Sequence, residues 1–180
     1  LPLIEFVAKT KKPLILSTGA STLEEIEFAV NYFYQKGGTK IYLMQTTAKY
    51  PAPLSTLNLK TISTLIDHFK IKVGLSDHSR DPIIGPVSAV ALGAKIIEKH
   101  FTLDNKLPGP DHFFALMPNE LKIMVQSIRG CEKSLGSGIK VVLPEEIELR
   151  EYAQRRIQAI SKIEKGEVFV IGKNIDILRP

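Results

Sequence analysis

One hundred and eighty residues are enough for one sizeable hydrophobic core and too few for two ordinary domains. Hydrophobic residues make up 44%, and the net charge of +5 comes from lysines and arginines scattered among acids; with no basic run or aromatic interleaving, this argues against nucleic acid and for attraction of small anions. One cysteine, Cys131, cannot make an internal disulfide, and there is no signal peptide or membrane-length apolar run, so a reducing cytoplasm is the expected compartment and no membrane partner is expected.

Residues 1–10, LPLIEFVAKT, carry no capping signal or start methionine, and Ile4, Val7 and Ala8 read as the end of a helix already under way. Lys11, Lys12 and Pro13 then turn the chain into a short apolar strand, Leu14 to Ser17, ending in STGAST. Ser21 with Glu24 and Thr22 with Glu25 are overlapping capping boxes for a helix whose apolar stripe is Ile26, Val30 and Phe33, closed by Gly37 and Gly38. The loop's hydroxyls and amides at a helix N-terminus suit an anion; a plain capped turn fits the same residues.

From Lys40, IYLMQ reads as a second strand and TTAKYPAPLST as a long loop stiffened by Pro51 and Pro53. Tyr50 is that loop's candidate binding group, or a ring packed over prolines. Leu59, Ile62, Leu65, Ile66 and Phe69 share a helical face, with His68 on its solvated side. Two further apolar runs are expected strands: Ile71 to Leu75, opening into Ser76, Asp77 and His78, and Ala94 to Ile97, opening into Glu98, Lys99 and His100. Between them Asp81 and Pro82 start a helix with Val87, Val90 and Ala91 at helical spacing, and Gly93 stops it.

Strand side chains alternate, so an extended backbone puts Ser76 with His78 on one face and Glu98 with His100 on one face, while Asp77 and Lys99 point the other way. Parallel strands joined by a helix bring their C-terminal ends together, where α/β proteins place their chemistry. His78 and His100, among hard oxygen neighbours, are candidates to share a divalent ion such as Mn²⁺, Mg²⁺ or Zn²⁺; each also reads as a hydrogen-bonded strand-end residue.

Beyond His100 a loop carries Asp104, Asp111 and His112, the last two after a Gly-Pro turn and candidates to reach the site. Asn119 is expected to cap a helix with Leu121, Met124, Val125 and Ile128 buried, Cys131 near the stripe as packing, and Gly136 as its stop. Lys140 to Leu143 reads as extended, Pro144 as the start of a charged helix reaching Arg156, and the tail as a turn and a strand without an edge partner. Four strand-then-helix units without a Gly-rich dinucleotide fingerprint suggest an α/β fold, half of a (β/α)8 TIM barrel.

STGAST, TTAKYPAP with Asn58-Leu59, VGLSDHS, AVALGAKIIEKHFT, GPDHFFAL, IRGCEKSLG and the RR…IEKGE tail follow one another as in the sialic acid (N-acetylneuraminate and related nonulosonate) synthase family, and the chain resembles that family over essentially its whole length. The resemblance implies units five to eight of the barrel in residues 1–143, and in 144–180 a helix and linker toward an antifreeze-like domain that the sequence lacks. It implies a phosphoenolpyruvate-dependent condensation with an N-acetylmannosamine-like amino sugar, a Mn²⁺ or Mg²⁺ cofactor and a homodimer in the full-length protein. By matching position, His78 and His100 are metal ligands, Ser17 and Ser76 hold the phosphate of phosphoenolpyruvate, Tyr50 and Asp111 face the sugar, and Glu98 is the catalytic carboxylate beside the metal, expected to orient or deprotonate a reacting water or hydroxyl.

Thr46, Thr47 and Ala48 stand where the family has Cys-Thr-Ser or Cys-Thr-Asn, which removes a side chain that would bond substrate from position 48 and implies a different sugar specificity. Ala115 stands where many relatives have Ser. The family's phosphate-binding lysines on the first four strands and the arginine of its antifreeze-like domain have no counterpart, so the isolated chain is expected to be inactive. Two other readings remain: a half-barrel that self-associates as a binding or structural module, and a metal-dependent hydrolase with Glu98 as base.

Overall fold

A computed structural model describes residues 1–179. The chain divides into two compact units, Leu1–Gly136 and Ser137–Pro180, so residues 137–143 group with the second.

The first unit is a four-stranded parallel sheet, β1 (Leu14–Ser17), β2 (Ile41–Thr46), β3 (Val73–Asp77) and β4 (Ile97–Lys99), in the order β1-β2-β3-β4. Helix α1 (Pro2–Lys9) precedes it, α2 (Leu23–Gln35), α3 (Thr61–Phe69) and α4 (Ile84–Ala91) connect its strands, and α5 (Pro118–Leu135) follows. This is the expected α/β architecture, a partial (β/α)8 barrel.

Local chemistry sets most boundaries. Of the two overlapping capping boxes, the Thr22–Glu25 box opens α2: Thr22 Oγ1 accepts from Glu25 N at 3.3 Å and Glu25 Oε2 from Thr22 N at 2.8 Å. Lys70, at φ 55°, ends α3 in the left-handed region and the chain bends at Ile71, so β3 starts at Val73 and runs on through Asp77. Gly93, at φ +100°, turns the chain out of α4 while Ala94 N still bonds Ala89 O, which delays β4 from the expected Ala94 to Ile97. Asn119 does not cap α5: Met117 is the N-cap, Pro118 takes the first helical position, and Glu120 Oε2 accepts from Met117 N at 2.8 Å.

Leu43↔Val73 and Leu75↔Ile97 are register partners, so Leu14, Leu16, Ile41, Leu43, Val73, Leu75 and Ile97 share the helix-facing side of the sheet. They pack against Ile26, Val30, Phe33, Ile62, Leu65 and Ala89 from α2, α3 and α4. Phe33 is fully buried, a contribution of about 1.5–3 kcal/mol. A smaller cluster of Leu116, Met124 and Ile128 seats α5 on Val87 and Val90 of α4. The opposite side of the sheet carries Ile15, Met44 and Gly74 low on the strands and a polar row higher up. Ile15 is 52% exposed there.

In the second unit α6 (Ile147–Ala153) follows a single 3₁₀ turn at Pro144–Glu146, and no strand forms over residues 140–143. The helix stops short of Arg156, because Arg156–Ala159 is β5, antiparallel to β6 (Ile175–Leu178). The tail strand therefore has a partner, contrary to expectation. Buried Asn174 pins the intervening turn, accepting from Val170 N at 2.7 Å and donating to Val168 O at 2.9 Å.

Candidate functional site

Parallel register lines up Thr46, Ser76 and Glu98 across β2, β3 and β4 on the side away from the helices. Ser17 joins from β1 by donating to Thr46 Oγ1 at 3.0 Å, and Thr46 Oγ1 in turn donates to Met44 O at 3.1 Å. Ser76 Oγ donates to Glu98 Oε1 at 2.6 Å. Beyond this row the same alternation brings out His78 after β3 and His100 after β4. Their ring centroids are 5.4 Å apart at 88°. The structure thus brings six of the seven expected groups, Ser76, Glu98, His78, His100, Tyr50 and Asp111, around one strand-end cluster, and Ser17 reaches it only through Thr46.

His78 is the most constrained of them. Its Nδ1 donates to the carbonyl of Thr47 at 2.8 Å, which fixes the tautomer and leaves Nε2 unprotonated. Nε2 lies 3.4 Å from Ser76 Oγ, but that hydroxyl has one proton and a nearer carboxylate to receive it. The imidazole lone pair is therefore left for another partner. Burial, aided by the neighbouring His100 and opposed by the Thr47 carbonyl and nearby carboxylates, holds the His78 pKa below its ordinary 6.5, so the neutral form persists into mild acid.

Tyr50 stacks on His78 at 4.1 Å between centroids and meets His100 edge-on at 5.6 Å. Its ring is 52% exposed, so it caps the imidazoles and still faces outward. Asp111 Oδ2 sits 3.6 Å from His100 Nδ1, an electrostatic approach too long for a hydrogen bond. Its loop is held from below: Thr102 Oγ1 pairs with His112 Nδ1 at 2.7 Å, and Asn105 Nδ2 donates to His112 O at 2.6 Å and Ala115 O at 2.8 Å. His112 is thereby a loop-holding residue.

Ser17 stands two strands from Ser76, about 10 Å by strand spacing, and no direct bond links them. The nearby α2 N-terminus already holds the chain's own carboxylates, since Thr22 N bonds Glu25 Oε2 and Glu24 is stabilised as an anion, its pKa lowered by its own backbone amide and by Thr22. For STGAST the capped turn is the arrangement formed.

Three participants escaped sequence reading. Thr46 links Ser17 to the row, the Thr47 carbonyl orients His78, and Phe114 is buried against His100 at 4.9 Å. The alternation of β2 offered a signal for Thr46 alone; the other two depend on loop paths.

Two imidazoles, one with a free lone pair, beside a hydroxyl-bound carboxylate fit a divalent ion that keeps open positions for substrate oxygens. Among the described residues no group of three or more His, Cys, Asp or Glu stands ready to enclose a metal. No helix of the described residues is long and apolar enough to cross a membrane.

The family model described as "NeuB family" matches residues 1–140. An uncharacterised protein of Methanocaldococcus jannaschii is 48% identical, covering 99% of this chain and 52% of its own length. The N,N'-diacetyllegionaminic acid synthase of Campylobacter jejuni is 43% identical, covering 100% of this chain and 54% of its own length. The crystal structure of N-acetylneuraminic acid synthetase from Leptospira borgpetersenii superposes with a TM-score of 0.76 at 37% identity, over 84% of this chain and 52% of that one. The chain spans about half the length of the curated relatives it matches.

Proposed function

The chain belongs to the NeuB family, and from that premise we propose that it supplies the metal-binding half of a nonulosonic acid synthase site, which condenses phosphoenolpyruvate with an N-acetylmannosamine-like amino sugar and releases phosphate. The observation that carries the reading is the convergence of His78 and His100 on one face, with a neutral His78 whose Nε2 lone pair is free.

In this proposal His78 and His100 hold Mn²⁺ or Mg²⁺. The ion, when bound, supplies Lewis acidity toward the aldehyde oxygen of the open-chain sugar. C3 of phosphoenolpyruvate forms the new bond to the aldehyde carbon, whose oxygen becomes a hydroxyl by taking the proton that Glu98 collects from the attacking water; that water adds at C2, and the C2–O bond breaks to release phosphate. Ser76 bonds the phosphate directly, and Ser17, two strands away, acts on it through its hydrogen bond to Thr46 in the same row. The Ser76 proton now given to Glu98 is the one an arriving phosphate takes, which frees Glu98 to accept a proton from the attacking water. Tyr50 and Asp111 face the sugar, and Ala48 at the loop gives it no hydrogen bond. Holding both reactants in line supplies part of the roughly 7–11 kcal/mol attainable from positioning.

A chimaera tests the whole reading: residues 1–136 of this chain replace the corresponding segment of the full-length C. jejuni synthase, and phosphate release from phosphoenolpyruvate is followed. Release that requires the amino sugar and disappears with His78→Ala and His100→Ala is expected. A folded chimaera that releases phosphate without the sugar favours the hydrolase reading and sinks this one.

A second reading rests on Ile15, exposed on the open side of β1, and on β1 and β4, each of which has one neighbour in the described sheet. Such a half-barrel could associate with a second copy of itself. A discrete two-fold species in size-exclusion chromatography with multi-angle light scattering, together with an inactive chimaera, would favour it.

A further inference from the structure

Directly behind the two histidines, on the helix-facing side, lies an ion pair that the proposed reaction does not use. Lys99 Nζ donates to Asp77 Oδ2 at 2.7 Å, and the two side chains are 3% and 0% exposed. Its other donors reach Ser79 O at 2.6 Å and Asp81 O at 3.0 Å, with Ser79 Oγ at 3.3 Å as a weaker fourth acceptor. Asp77 Oδ1 accepts from Ser79 N at 2.8 Å, and a Cβ on Gly85 would sit 2.7 Å from Asp77 Oδ2, so the first turn of α4 closes over the carboxylate. Asp77 and Lys99 are register partners, and His78 and His100 are the next residues along each strand.

We propose that Lys99 is the positioning residue of the two-histidine site: by tying β4 to Asp77, Ser79 and Asp81 it clamps the backbone on both sides of His78 and at His100, and so sets the separation and aim of the imidazoles. The inference rests on the reading that these histidines bind a divalent ion. Alternation is the physical link. A residue bolted on the back fixes the height at which its neighbour leaves the front. Three donors with three close acceptors in fixed positions permit one placement of the loop from Asp77 to Asp81, whereas an apolar side chain of similar length would permit several. Lys99 reaches no reacting atom, since it lies on the opposite face of the sheet, so its effect passes entirely through the histidines. Supporting groups of this kind commonly change metal affinity 10- to 100-fold when removed.

The test is Mn²⁺ titration calorimetry and the visible absorption of bound Co²⁺ on the 180-residue chain, its His78→Ala/His100→Ala variant, and Asp77→Asn/Lys99→Met, which removes both charges together and keeps the side-chain volumes. Expected are one Mn²⁺ site in the unaltered chain, none in the histidine variant, and a folded Asp77→Asn/Lys99→Met chain that binds at least about 10-fold more weakly with a shifted Co²⁺ band. Unchanged affinity and band in that folded variant overturn the clamp and leave the metal reading standing. Absence of binding in the unaltered chain, or equal binding by the histidine variant, overturns the metal reading and the clamp with it. An Asp77→Asn/Lys99→Met chain that unfolds assigns the pair to stability and also overturns the clamp.

Discussion

On the helix-facing side of β3 and β4, Lys99 has an acceptor for each of its N–H donors, and Asp77 is enclosed by the ammonium, the Ser79 amide and α4. On the other side, at the residues flanking Asp77 and Lys99 in each strand, a single Ser76 proton stands between Glu98 and His78, and the His78 lone pair goes without. Burying a charge is costly unless it is paired and hydrogen-bonded, so the saturated side is where the sequence invests in a fixed backbone. The unsaturated side keeps polar atoms whose partners have still to arrive. The difference separates support from chemistry within two neighbouring strand ends, residues 76–79 and 98–100, and it does so without reference to any relative.

The contrast is sharpest where one partner is removed. Lys99→Met alone strands the Asp77 carboxylate in a fully buried site, and a loss of about 3–5 kcal/mol is expected in urea unfolding, most of it recovered by adding Asp77→Asn. A loss under about 1 kcal/mol would mean that the back of the strands is not held by this pair. The corresponding deletion on the front, Ser76→Ala, removes one hydrogen bond to a carboxylate that solvent also reaches, so about 1 kcal/mol is expected by the same measurement. If the front variant costs as much as the back one, the division between the two faces is wrong.

The smallest effect is a slope with pH. The folded-state pKa of His78 is below its ordinary 6.5, so the unfolded chain binds the proton more readily. The stability tied to neutral His78 is fully present above 6.5 and is lost as pH falls through the folded-state value. Unfolding midpoints taken from pH 7.5 downward should decline in that window, and the His78→Gln chain should show a shallower decline. A separate feature lies on the first helix, where hydrogen bonds from Lys9 and Tyr32 bring the Glu5 pKa to about 2; its contribution is fully present above the ordinary 4.5 and is lost as pH falls toward 2.

Local sequence was enough for the order of elements and for the faces. Period-two alternation depends on residue parity, so the strand starts shifted from Ile71 to Val73 and from Ala94 to Ile97 without moving Ser76, His78, Glu98 or His100 to the other side. Capping chemistry likewise announced α2 through Thr22 and Glu25. Motif resemblance added the roles assigned to those residues. The tertiary structure alone decided which groups meet. Register between strands tens of residues apart put Thr46 beside Ser76 and Ser76 beside Glu98, and loop paths carried the Thr47 carbonyl to His78 and Phe114 to His100. It also made β5 the partner of β6, beginning at Arg156 where the sequence placed a helix end, because a strand needs a distant segment to complete its hydrogen bonds and no local pattern names that segment.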